Sequence, residues 1–212
     1  MDINMDAKIN GVSIEKSVTI YNHLMNGRML NDESINADGE MVRDELFTEV
    51  IDNLGAYRNQ YAMNGYNLNI NSEFMYITKG QSHEVAKSDI AMKAYMLLLI
   101  LGRYTTSRGY AITEDHSSNK LSSAKGGFSY AEIEKMETMP YVKEILDKSG
   151  MKDGLYRNVK TTLVDRSIMY IHPLTQNLVL TKAGNAFFDE LVADMKAELD
   201  ESFDDFQVLN LM

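Results

Sequence analysis

The residues best suited to metal ligation or proton transfer are four histidines, His23, His83, His116 and His172, and their spacing serves neither purpose. Zinc sites built from side chains repeat their ligands at short intervals along a helix or turn, and these four are scattered. The chain contains no cysteine, which excludes thiolate sites and disulfides and fits a reducing compartment. Each histidine therefore reads as a surface or capping residue. The segment "SAKGGF" has two glycines but no following lysine and serine, so it reads as a loop and not as a phosphate cradle. No nucleophile elbow or paired-histidine motif occurs, and Glu132 and Glu134, on opposite faces of a helix, are expected to face solvent. Neither catalysis nor a metal or cofactor is expected.

Two other constellations suit recognition. In the stretch 153–166, a helix projected at about 100° per residue gathers Leu155, Val159, Thr162 and Leu163 on one side. Arg157, Thr161 and Val164 fall on the other, with Lys160 beside them. Such a face could set Arg157 and Thr161 at base edges and Lys160 at phosphate, with Arg166 following. It could equally be a solvated surface, since Asp153 and Asp165 dilute its charge and Val164 suits a protein contact. The turn "HPLTQN" after it brings only His172 as a possible cation. The second constellation is the stretch "YNLNINSEFMYI", in which Tyr66, Leu68 and Ile70 alternate with asparagines and Phe74 to Ile77 return after a turn at Asn71 and Ser72. Tyr66, Leu68 and Ile70 share a face that Phe74 and Tyr76 are expected to extend into an aromatic patch. That patch either docks a partner segment or packs on the domain's own helices.

Periodicity predicts the elements that must hold these groups. A first amphipathic helix is expected at Ile14 to Leu30, with Val18, Tyr21 and Met25 in step. "LNDESINADGE" reads as a polar connector, and Asp38 as the cap of a second helical stretch running toward Gly65, with Leu46, Val50, Leu54 and Tyr57 as its buried stripe and a break near Gly55. Thr78 to Ser88 is a candidate boundary. Beyond it come an apolar helix at Asp89 to Tyr104, a long loop, helices at Tyr130 to Met136 and Tyr141 to Lys148, the helix at 153–166, strands at Ile168 to Ile171 and Leu178 to Leu180, and a last helix from Lys182 to about Leu199. Both halves thus run helices then hairpin. The expected fold is mainly α with small β-hairpins, arranged as tandem winged-helix domains: 1–80, 88–181 with its long loop 105–127, and 182–212 as a C-terminal helix with an acidic, apolar tail. That tail is either a helix folding back or a docking peptide.

Charge weighs against indiscriminate nucleic-acid binding, because phosphate affinity rests on lysine and arginine displacing counterions and the 212-residue chain carries a net charge of −10. The acid is uneven: residues 1–87 hold 13 acids and 7 bases, 88–188 hold 10 and 13, and 189–212 hold 8 and 1. A modestly basic middle sits between acidic ends. The longest apolar run, "AYMLLLILG", is about half of what a membrane span needs, and the acidic N-terminus carries no signal-peptide pattern. A cytoplasmic location is expected.

"ELFTEVIDNLGAYRNQYAMNGYNLNINSEFMYI" and "LYRNVKTTLVDRSIMYIHPLTQNLVLT" resemble, in order of elements and residue character, the two helix-plus-hairpin segments of the MukE/MksE family, the accessory subunits of bacterial condensins. The resemblance spans about residues 17–190. It implies a homodimer that binds a MukF/MksF-like kleisin and, through it, a MukB/MksB-like SMC ATPase acting on chromosomal or foreign DNA near the nucleoid. It also implies no ATPase activity in this chain, with Arg157, Lys160 and Arg166 as auxiliary DNA contacts. The competing expectation is a winged-helix transcription regulator that reads DNA through the same helix.

Overall fold

The computed structural model describes residues 8–9, 11–80, 89–110, 120–123 and 126–193. Residues 81–88 of the boundary proposed at 78–88, residues 111–119 and 124–125 of the loop 105–127, His83, His116 and the tail from residue 194 lie outside them. Helices dominate, and the sheets are small and antiparallel.

A two-residue pair, β1 (Lys8–Ile9) and β2 (Val12–Ser13), leads into α1 (Ile14–Met25), whose first turn is capped by the Ser13 hydroxyl accepting from the Lys16 amide. Helix α1 is shorter than periodicity predicts. Gly27, at φ +72°, ends it, and Leu30 enters a strand. Its buried stripe is Ile20 and Leu24, while Val18 and Tyr21 stay exposed. Strand β3 (Leu30–Asn31) is followed by a hairpin, β4 (Glu33–Ile35) and β5 (Met41–Arg43), where a polar connector and a helix start were expected. The reason is local. Asn36 Oδ1 accepts from the Asp38 and Glu40 amides, closing a turn that Gly39 completes at φ +82°, so Asp38 caps nothing.

Asp44 caps α2 (Glu45–Asp52) by accepting from the Leu46 and Phe47 amides. The chain breaks at Asn53, two residues before Gly55, and resumes as α3 (Leu54–Met63). Gly65, at φ +78°, turns it into β6 (Tyr66–Ile70), which pairs with β7 (Phe74–Lys79). Strand β3 lies along β7, giving the order β3-β7-β6. Ile20, Leu24, Leu30, Phe47, Val50, Tyr57, Tyr61 and Met75 form one buried cluster beneath this sheet.

The second half follows a similar order, helices then hairpin, without a counterpart of the β4–β5 hairpin. Helix α4 (Asp89–Ser107) is followed, around Phe128, by a single backbone bridge to Leu178, then by α5 (Tyr130–Glu137) and α6 (Pro140–Lys148), the latter opened by its first-position proline. The helix expected at 153–166 is α7 (Leu155–Val159) continued by one π-helical turn over Lys160–Val164. The widened turn, closed by the Asp165 amide donating to the Lys160 carbonyl, puts the adjacent Thr162 and Leu163 both into the core. Strands β8 (Met169–Ile171) and β9 (Leu178–Leu180) make the second hairpin, and α8 covers 182–193. A second cluster, including Leu97, Leu101, Phe128, Ile133, Val142, Leu155, Val159, Leu163 and Phe188, fills this half. At Gly102 a Cβ would lie 2.8 Å from the Phe188 ring, so α4 and α8 meet where a side chain is missing.

A polar seam joins the halves. Asn31, almost fully buried, donates through Nδ2 to the Ser167 carbonyl at 3.0 Å and accepts at Oδ1 from the Ala183 amide at 2.9 Å. Lys182 Nζ lies 2.9 Å from both Asp32 and Glu33 carboxylates. The Met29 amide donates to the Arg166 carbonyl. Gly39 at the β4–β5 tip packs on the His172 ring and Leu174.

Candidate functional site

The first hairpin divides into two faces. In its register Leu68 stands opposite Ile77 and Ile70 opposite Met75, whereas Asn69 stands opposite Tyr76. Because four residues separate the paired Ile70 and Met75, even-numbered positions of β6 stand opposite odd-numbered positions of β7, and the even residues of β7 leave the face occupied by the even residues of β6. Tyr66, Leu68 and Ile70 therefore lie against their own half-buried core edge with Ile77. Phe74 and Tyr76 face the other way, their rings 6.2 Å apart. The continuous aromatic patch expected from the sequence does not form. Phe74 and Tyr76 instead line a cleft of about 200 Å³ shared with Phe187 and Glu190 of α8.

On the second half, Arg157, Lys160 and Thr161 are all exposed, and Thr161 Oγ1 donates to the Arg157 carbonyl at 3.0 Å. Arg166 does not join them. Its Nη1 donates to the Asn26 and Gly27 carbonyls at 3.2 and 3.5 Å, so its charge sits at the C-terminus of α1, where a cation is favoured by the helix dipole. It thereby straps the two halves together, apart from the Arg157, Lys160 and Thr161 face. His172 is buried, and its Nδ1 accepts from the Leu174 and Thr175 amides at 3.3 Å, which makes it the cap of the second hairpin's turn. Val164 packs against the second core.

Glu132 does not face solvent. It closes a capping box on Ser129 and pairs with Lys120 at 3.0 Å. Burial pushes its carboxyl up, but the Ser129 amide and Lys120 outweigh this and hold it below the usual carboxylate range. Between the halves runs a groove of about 300 Å³, lined by Ile35, Met41, Val164, Met169 and Ile171 and edged by His23 and Arg28. Burial and the Arg28 charge hold His23 below its ordinary value. For Lys182 burial lowers the value, but hydrogen bonds to Asp32 and Glu33 raise it above the ordinary lysine range.

Sequence reasoning missed the seam residues Asn31, Asp32 and Lys182, for which a linear reading offers no signal. It also missed the β4–β5 hairpin, for which the turn dipeptide Asp38-Gly39 was one. No group of three or more metal-ligating side chains converges among the described residues, and no described helix is long and apolar enough to cross a membrane.

The described surface thus combines small hairpins, a weakly basic helix face, an aromatic cleft beside α8 and a groove between the halves that gathers His23, Arg28, Glu33, Asp44 and Lys182. The family described as condensin complex protein MksE matches residues 15–192, and the chain belongs to that family. Membership supports a role as an accessory subunit, part of a condensin complex. No curated protein matches the chain.

Proposed function

We propose that this chain is a non-catalytic, tandem winged-helix scaffold that binds a kleisin as a homodimer and, through it, an SMC-type ATPase that organises chromosomal or foreign DNA at the nucleoid. The observation that carries the reading is a topology used twice. In each half a strand or bridge following the first helix pairs with the returning strand of the hairpin, β3 on β7 and Phe128 on β9, in a chain of the condensin complex family. Helix, strand, helices and hairpin in that order is the layout of a winged helix, and here two such units meet across the Asn31 and Lys182 seam, which favours a rigid scaffold.

DNA contact in this reading is auxiliary. Arg157 and Lys160 offer two exposed cations on an otherwise acidic chain, enough to add to an assembly's phosphate contacts and too few for tight binding alone. Their exposure beside Thr161 also favours the second reading, a transcription regulator. Size-exclusion chromatography with light scattering, on the chain alone and co-expressed with its genomic neighbours, tests the proposal. A dimer that co-elutes with a kleisin supports it, and a chain that ignores the kleisin while binding one duplex sequence tightly supports the regulator.

A further inference from the structure

The cleft between β6–β7 and α8 has a composition its neighbours lack. Three aromatic rings, Phe74, Tyr76 and Phe187, line it, and Glu190 is the one charged side chain among its described lining residues. Phe74 and Tyr76 lie nearly parallel, 26° apart, and Phe187 is held in place by a tilted contact with Tyr95 at 6.2 Å. Asn69 spends its Nδ2 on Thr78 Oγ1, which leaves its carbonyl oxygen as the group it can offer. Ring faces carry negative electrostatic potential and attract cations, and a carboxylate at the rim adds an acceptor of the same preference. The volume, about 200 Å³, admits one long side chain and not a helix.

We propose that this cleft receives a basic side chain, arginine or lysine, from a partner polypeptide. The proposal rests on the reading of the first hairpin as a protein-contact surface and adds to it the chemistry of the contact. Phe74 and Tyr76 then belong to the partner surface with Ile70 at its edge, while Tyr66 and Leu68 support it from the core side. An arginine would stack its guanidinium plane on a ring and direct its N–H groups to Glu190.

The test uses the full chain with three capped tripeptide amides, differing only in a central arginine, lysine or norleucine. Ring resonances of Phe74, Tyr76 and Phe187 are followed by NMR during titration. Saturable shifts with arginine or lysine, weak or absent with norleucine, are expected. Glu190→Gln should weaken them about fivefold, the scale of one partly exposed ion pair, and Glu190→Lys should abolish them, with circular dichroism confirming that both variants stay folded. Equal shifts from norleucine, or unchanged binding to Glu190→Gln, would overturn the proposal. Kleisin co-elution is measured in parallel: if the wild-type chain co-elutes with a kleisin while the peptides leave its rings unmoved, the cleft assignment fails and the scaffold reading stands. If the peptides bind as expected and no kleisin co-elutes, the cleft stands and the scaffold reading fails.

Discussion

Replacing Asn31 with leucine should uncouple the two halves at large cost. Leucine keeps the branched shape of asparagine, with bulkier methyl ends, but removes both hydrogen bonds of a residue that is 8% exposed. The Ser167 carbonyl, 3.0 Å from Nδ2, loses its donor, and the Ala183 amide in the first turn of α8, 2.9 Å from Oδ1, loses its acceptor. A buried group left without a partner costs about 1–3 kcal/mol. Thr181 Oγ1 donates to Ser167 at 2.7 Å and so relieves part of the first loss. Nothing described replaces Asn31 at the Ala183 amide. The expected total is about 2–4 kcal/mol, or roughly 5–15 °C in Tm for a chain of this size. Because the chain has no tryptophan, unfolding is followed by far-UV circular dichroism, both thermally and in urea. Asn31→Asp keeps the acceptor for the Ala183 amide but sets a buried carboxylate oxygen against the Ser167 carbonyl, so it should destabilise near neutral pH and recover part of the loss as pH falls. A change below about 0.5 kcal/mol, the range of ordinary surface substitutions, would refute the claim that the seam couples the halves.

Four further outcomes are expected. Lys182, raised above the ordinary lysine value of 10.5 by its two carboxylates, contributes stability that is full below that pH and lost as pH rises through its folded value, so Lys182→Met should flatten the alkaline limb of the stability profile measured by urea midpoints. Glu132, held low by Ser129 and Lys120, contributes stability that is full above 4.5 and lost as pH falls through its folded value. Glu132→Gln should cost about 1 kcal/mol near neutral pH through the weakened cap and shrink the acid-side loss. Gly102→Ala should destabilise by about 1–3 kcal/mol in the same melts, since its Cβ would meet the buried Phe188 ring at 2.8 Å. Arg157→Glu with Lys160→Glu should remove residual duplex binding by fluorescence anisotropy and lower the salt slope by about two, whereas Arg166→Gln should leave binding unchanged and lower Tm.

Elements with strong local signals were legible in the sequence. The Pro140 start of α6, the alternation in "YNLNI" and the apolar run of α4 depend on neighbours along the chain, and each lies close to its predicted position. Where two local signals competed, the reading failed: Asp38 resembles a helix cap, but the Gly39 beside it and the Asn36 side chain make a turn, and the helix starts at Asp44. Face assignment in the first hairpin hung on the parity of its turn, which composition does not reveal, so Phe74 and Tyr76 were joined to the wrong side. The Arg166 hydrogen bonds to the Asn26 and Gly27 carbonyls, about 140 residues away, carry no signal in a linear reading. Seam residues such as Asn31 and Lys182 look like ordinary polar positions until the chain folds.

Light scattering of the purified chain, alone and with a MksF-like kleisin, reaches the central claim most directly. The account predicts the mass of a dimer alone and a stable complex with the kleisin, with duplex binding that is weak and indifferent to sequence until the complex forms. A monomer that shows no affinity for the kleisin and grips a single duplex sequence unaided would contradict it.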